Sequence, residues 1–105
     1  MANWISVGPA SHIPEGGWQI INLDDSTEVA VFNLNGSFYA IEDVCTHDGG
    51  TLVGGLIEGD QIICPRHGAR FCIKTGAVMA PPAYEPIKTF EVRVVNNRVE
   101  VFNPY

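Results

Sequence analysis

Cys45-Thr46-His47-Asp48-Gly49-Gly50 and Cys64-Pro65-Arg66-His67-Gly68-Ala69 decide how this chain is read. Each stretch offers one thiolate and one imidazole from a short loop, and sixteen residues separate His47 from Cys64. A lone cysteine or histidine is more often a packed or surface residue than a ligand. Two such pairs, each followed by glycine or other turn-forming chain, point instead to metal ligation by Cys45, His47, Cys64 and His67. The third cysteine, Cys72, has no histidine partner and reads as a small buried strand residue. An odd number of cysteines in a chain without an export signal argues against a disulfide scaffold.

Outward from these loops the chain reads as strands. Upstream, Glu28-Val29-Ala30-Val31-Phe32-Asn33-Leu34 and Ser37-Phe38-Tyr39-Ala40-Ile41 flank Asn35-Gly36, a pair that tolerates positive φ at both turn centres. This predicts a tight type I′ hairpin. Downstream, Thr89–Val94 and Arg98–Phe102 alternate polar and apolar residues about Asn96-Asn97. In that hairpin Phe90, Val92 and Val94 are expected to face inward with Val99 and Val101. Trp18–Leu23 is a further candidate strand, and no segment sustains a helical repeat. Between the hairpins, residues 43–87 are rich in glycine and proline, so the ligand candidates fall in loop-rich chain. The expectation is one all-β domain, residues 1–105, with a small loop-rich subdomain at about 43–87.

Charge excludes one class of partner. Residues 1–65 hold nine acids and no Lys or Arg, net −9; residues 66–105 hold six basic residues and three acids, net +3, giving −6 in all. Phosphate contacts need concentrated basic charge, so nucleic acid is not expected. Glu42, Asp43, Asp48, Glu58 and Asp60 lie in or beside the first ligand loop, which predicts electrostatic steering toward a basic partner. Asp48 and Glu42-Asp43 read as a solvated face rather than as groups that tune the site by their charge. His12, between Ser11 and Ile13-Pro14, reads as a surface loop residue. No apolar run approaches the roughly 18 residues of a membrane span, and Met1–Val7 carries no basic start; the expectation is a cytoplasmic chain without membrane contact.

Two chemistries suit the donor set. Zinc takes Cys₂His₂, although its structural sites usually pair like with like along the chain. Two thiolates on one iron and two imidazoles on a second is the ligation of a Rieske [2Fe–2S] centre. Here the resemblance becomes specific. C-x-H followed by C-P-x-H-G, with Thr75-Gly76 and Pro82-Ala83-Tyr84-Glu85-Pro86-Ile87, resembles the Rieske ferredoxins of bacterial aromatic-ring-hydroxylating dioxygenase systems over nearly the whole chain. The resemblance implies a Rieske fold: an antiparallel β-sandwich base carrying a cluster-binding subdomain. It implies one cluster, with His47 and His67 bound through Nδ1 and their outer edges at the surface.

For function, the resemblance implies a monomeric electron carrier between a flavin-containing reductase and a terminal oxygenase, docking transiently at the His47/His67 tip. The small subunit of an assimilatory nitrite reductase resembles the chain in size and fold and is the alternative. An oxygenase in its own right would need a mononuclear iron, typically held by two histidines and a carboxylate; only His12 is left for it. High-potential respiratory relatives read C-T-H-x-x-C and C-P-C-H-G-S-x-Y. Their disulfide positions are Gly50 and Arg66 here, and their hydroxyl donors are Ala69 and Phe71. The resemblance therefore implies a low potential.

Overall fold

A computed structural model describes residues 3–24 and 26–105. Met1 and Ala2, read above as part of a start without an export signal, and Asp25, counted among the acids, lie outside the described residues. The strands are β1 (Trp4–Pro9), β2 (Trp18–Asn22), β3 (Glu28–Leu34), β4 (Ser37–Glu42), β5 (Ile57–Glu58), β6 (Gln61–Ile63), β7 (Arg70–Cys72), β8 (Val78–Ala80), β9 (Thr89–Phe90), β10 (Val92–Val95) and β11 (Arg98–Phe102). One short 3₁₀ turn, Ala10–His12, follows β1 and leaves His12 exposed.

The strands form three antiparallel sheets, in the orders β1-β11-β10, β2-β3-β4-β9 and β5-β6-β7-β8. The middle sheet is covered on both faces, and β3 shows why. Its side chains alternate: Val29 and Val31 join one core with Val7, Ile13, Ala40, Val99 and Val101. Ala30, Phe32 and Leu34 join the other with Ile41, Leu52, Ile62, Phe71 and Ile73. A strand buried on both faces must be apolar at successive positions, which accounts for the uninterrupted Val29-Ala30-Val31-Phe32. The first core seals the sandwich of the first two sheets; the second seats the third sheet and its loops. Phe32 and Phe71 are both fully buried in that second core, each worth about 1.5–3 kcal/mol of burial.

Both predicted hairpins form. Asn35 and Gly36 have φ of 55° and 86°, and Asn96 and Asn97 have φ of 51° and 64°, the left-handed pairs of type I′ turns. The second hairpin departs from expectation on its first strand. The chain breaks at Glu91: β9 pairs with β4 in the middle sheet, and β10 pairs with β11 in the first. Val92 still packs on the core, but Val94 is 49% exposed rather than inward. The crossover has carried it onto β10, the edge strand of its sheet among the described residues.

Chain leaves and rejoins the base at one point. Asp43 N–H donates to the Glu28 carbonyl and Glu42 N–H to the Lys88 carbonyl, each at 2.9 Å. Everything between, residues 43–87, builds the third sheet and the loops around it.

Candidate metal centre

The two ligand loops are built on one frame. In the first, Cys45 N–H donates to the Gly50 carbonyl at 2.7 Å and Gly49 N–H to the Cys45 carbonyl at 2.7 Å. In the second, Cys64 N–H donates to the Ala69 carbonyl at 2.7 Å and Gly68 N–H to the Cys64 carbonyl at 3.1 Å. The same frame occurs a third time: Cys72 N–H donates to the Ala77 carbonyl at 2.9 Å and Gly76 N–H to the Cys72 carbonyl at 2.7 Å. In each loop the fifth residue is glycine, with φ of 77°, 77° and 78°, a region that residues with a side chain rarely occupy. A cysteine opens every frame, but only the first two carry a histidine two or three positions on. Cys72 is a buried residue at the end of β7, as its reading as a strand residue anticipates.

All four predicted donors come together. Cys45 and Cys64 are buried, with 0% and 1% exposure, while His47 and His67 are exposed above them. The imidazole rings stand perpendicular with centroids 5.1 Å apart. The donor atoms fall into two groups within 4.8 Å, one of Cys45, Cys64 and Asp48 and one of His47, His67 and Asp48. No group of that span contains all four Cys and His donors. A single zinc ion, with bonds of about 2.0–2.3 Å, would gather all four more tightly. Two sulfurs below and two nitrogens above suit a binuclear centre instead, so the residues present fit a Rieske cluster. Burial pushes the Cys45 thiol up from its ordinary pKa.

Of the acids around the site, Asp43 alone is buried, against the expected solvated face; Asp48 is exposed as expected and Glu58 is exposed too, but both are paired with arginines. Asp43 is buried; its Oδ1 accepts from Leu52 N–H at 2.8 Å and from Val53 N–H at 3.0 Å. The carboxylate thus ties the start of the first loop segment to its end. Asp48 accepts a forked pair from Arg66, Nε at 2.6 Å and NH2 at 3.0 Å. The Arg66 guanidinium holds its carboxyl well below the usual range. Glu58 accepts from Arg70 at 2.6 Å. Of the five acids, only Glu42 and Asp60 have no such partner among the described residues. The sequence hid this because the two arginines lie eighteen and twelve residues along the chain from the acids they neutralise. Sequence reading also missed Thr46, whose hydroxyl donates to the Glu85 carbonyl at 2.7 Å and fastens the first loop to the proline-rich segment.

Comparison with known proteins matches residues 3–91 to the Rieske [2Fe-2S] domain. The chain belongs to the Rieske family. It therefore carries one Rieske-type [2Fe–2S] cluster. Among Rieske relatives, the 3-phenylpropionate/cinnamic acid dioxygenase ferredoxin subunit of Escherichia coli (strain K12) is 40% identical over 93 residues, covering 88% of this chain and 86% of its own. A chain in the solved complex of reduced oxygenase and oxidized ferredoxin of carbazole 1,9a-dioxygenase superposes with a TM-score of 0.91 at 35% identity, covering 97% of this chain and 94% of that one. A putative NADH-dependent nitrite reductase small subunit from Mycobacterium tuberculosis superposes with a TM-score of 0.86 at 22% identity, covering 100% and 98%. That last likeness concerns the fold alone. Among the described residues no helix is long and apolar enough to cross a membrane.

Proposed function

We propose that this Rieske protein is the electron-transfer ferredoxin of an aromatic-ring-hydroxylating dioxygenase system, receiving electrons from a flavin-dependent reductase and passing them to a terminal oxygenase. Cys45 and Cys64 would hold one iron and His47 and His67 the other. The sorting of the donors carries this reading: two buried thiols beneath two exposed imidazoles. When bound, the cluster supplies one-electron redox chemistry. The chain supplies the rest. Leu52, Ala69 and Phe71, all fully buried, shield the thiol side from water. The exposed rings of His47 and His67 bring the ligand shell to the surface, where a partner can touch it.

The carrier role, rather than catalysis, follows from the histidine count: His12 alone remains, too few for a mononuclear iron site. The carbazole complex, in which ferredoxin meets oxygenase, supports an oxygenase as one partner. Docking is at the His47/His67 tip, in the cytoplasm, by a monomer that must dissociate to shuttle. Residues 43–87 act as a cluster-binding subdomain of a single domain; the paired hydrogen bonds at Glu42 and Asp43 support that division. The potential is low within the family range of about −150 to +300 mV, because Ala69 and Phe71 offer the sulfurs no hydroxyl.

Absorption and EPR spectra of the aerobically purified and then dithionite-reduced protein test the reading, together with iron and acid-labile sulfide analysis. Two irons and two sulfides per chain are expected, with loss of the cluster in His47→Ala and in His67→Ala. A colourless protein with stoichiometric zinc, or histidine variants that keep their full iron, would refute it.

A further inference from the structure

We propose that Arg66 is a positioning residue for the cluster, its guanidinium clasping the first ligand loop so that the two donor pairs stay in register. The inference rests on the ligand assignment above. Each ligand loop closes on its own backbone bonds, and among the described residues the backbones of the two loops exchange none. Arg66 lies between Cys64 and His67 and reaches across. Its Nε and NH2 fork onto Asp48, and NH2 also donates to the Thr51 carbonyl at 2.9 Å.

Both sides of this clasp are fixed. Asp48 Oδ1 also accepts from Gly50 N–H at 2.9 Å, so the fork grips a carboxylate already tied into the first frame. A Cβ at Gly50 would lie 2.6 Å from the guanidinium carbon. The guanidinium is therefore pressed against the backbone there, in space that only glycine leaves open. The pair sits at the surface, with side chains 35% and 19% exposed, so its hold comes from the forked geometry and the Gly50 and Thr51 contacts rather than from burial. A planar fork fixes orientation as well as distance, which a lysine ammonium cannot do. Asp48 follows His47 and Arg66 precedes His67, so the clasp joins the two loops one residue from each imidazole.

The test is the rate at which the holoprotein loses its visible absorption to excess iron chelator, with the EPR line width of the reduced protein recorded alongside. Variants that purify without cluster are reconstituted with iron and sulfide before timing. Arg66→Ala should lose cluster about fivefold faster, the order expected for one charge-assisted fork at the surface, and should broaden the EPR lines, while far-UV circular dichroism stays unchanged. Arg66→Lys should recover only a minor part of the loss. Gly50→Ala, whose methyl displaces the guanidinium, should speed loss severalfold, and the Gly50→Ala/Arg66→Ala double variant should be no faster than Arg66→Ala. Wild-type retention in Arg66→Ala, full recovery in Arg66→Lys, or multiplicative losses in the double variant would overturn the clasp. The ligand assignment would survive each of these, because it stands or falls on the His47→Ala and His67→Ala spectra.

Discussion

Asp43→Ala is expected to be among the most damaging substitutions outside the four ligands. One carboxylate oxygen accepts two backbone N–H groups nine and ten residues downstream, and the side chain is only 6% exposed. Alanine would leave both N–H groups unpaired, and Leu52 is fully buried. A buried donor left unpaired costs about 1–3 kcal/mol, and the half-buried Val53 N–H adds less, so the loss is roughly 2–4 kcal/mol. Asparagine keeps an acceptor oxygen at the same place and should cost about 1 kcal/mol. With a urea slope of about 1.5 kcal/mol/M for a chain of this size, the alanine variant should shift the midpoint down by about 1.5–2.5 M and the asparagine variant by less than about 1 M. Urea titration of the holoprotein measures this, followed by visible absorption for the cluster and by tryptophan fluorescence for the base, where Trp4 and Trp18 lie on β1 and β2. An alanine midpoint within about 0.3 M of wild type would show that the loop pairs these groups some other way, and the account of Asp43 would be wrong.

Phe71→Tyr combined with Ala69→Ser should raise the reduction potential in protein-film voltammetry, by returning hydroxyl donors beside the sulfurs; an unchanged or lower value would count against that account of the low potential. Because Asp48 and Glu58 are neutralised by Arg66 and Arg70 and Asp43 is buried, electron-transfer rates at subsaturating carrier should change less than about twofold as ionic strength rises to 0.15 M, where the Debye length is about 8 Å. A tenfold fall would restore the acidic face as the docking element. Gly76→Ala should lower the thermal midpoint by several degrees, since alanine is strained at φ 78° and its methyl would run into the Ile87 carbonyl. An NMR titration should place the Asp24 carboxyl below the ordinary aspartate range, because the Ser26 N–H donates to it at 2.8 Å. Its contribution to stability is then present above the unfolded pKa and fades as pH falls through the folded one.

The ligand loops were legible because their chemistry is local: a thiol, an imidazole and a glycine within six residues specify each frame. Both hairpins were legible for the same reason, since Asn35-Gly36 and Asn96-Asn97 fix their own turns. The third sheet was not. Strands of two or three residues such as β5 and β8 are too short to show alternation, and they hold together through the shared core of Ile62, Phe71 and Ile73. β1 also went unread; its pairing with β11, at the far end of the sequence, includes a register shift between Ser6 and Gly8. The acids misled because a carboxylate's surroundings are set by what folding brings to it. Arg66 lies eighteen residues from Asp48, and Asp43 is occupied by backbone that carries no sequence signal at all.

The repeated frame separates holding a shape from choosing a cargo. The Cys72–Ala77 loop closes with the same two backbone bonds as its neighbours, yet it has no imidazole to offer. Closure therefore belongs to the peptide and its glycine, and ligation is written onto it by one or two side chains. Two copies bear an inscription and the third is blank. A blank of this kind is a ready place to write: a histidine at Lys74 or Thr75 would reproduce the spacing of the first or second ligand loop without asking the backbone to move.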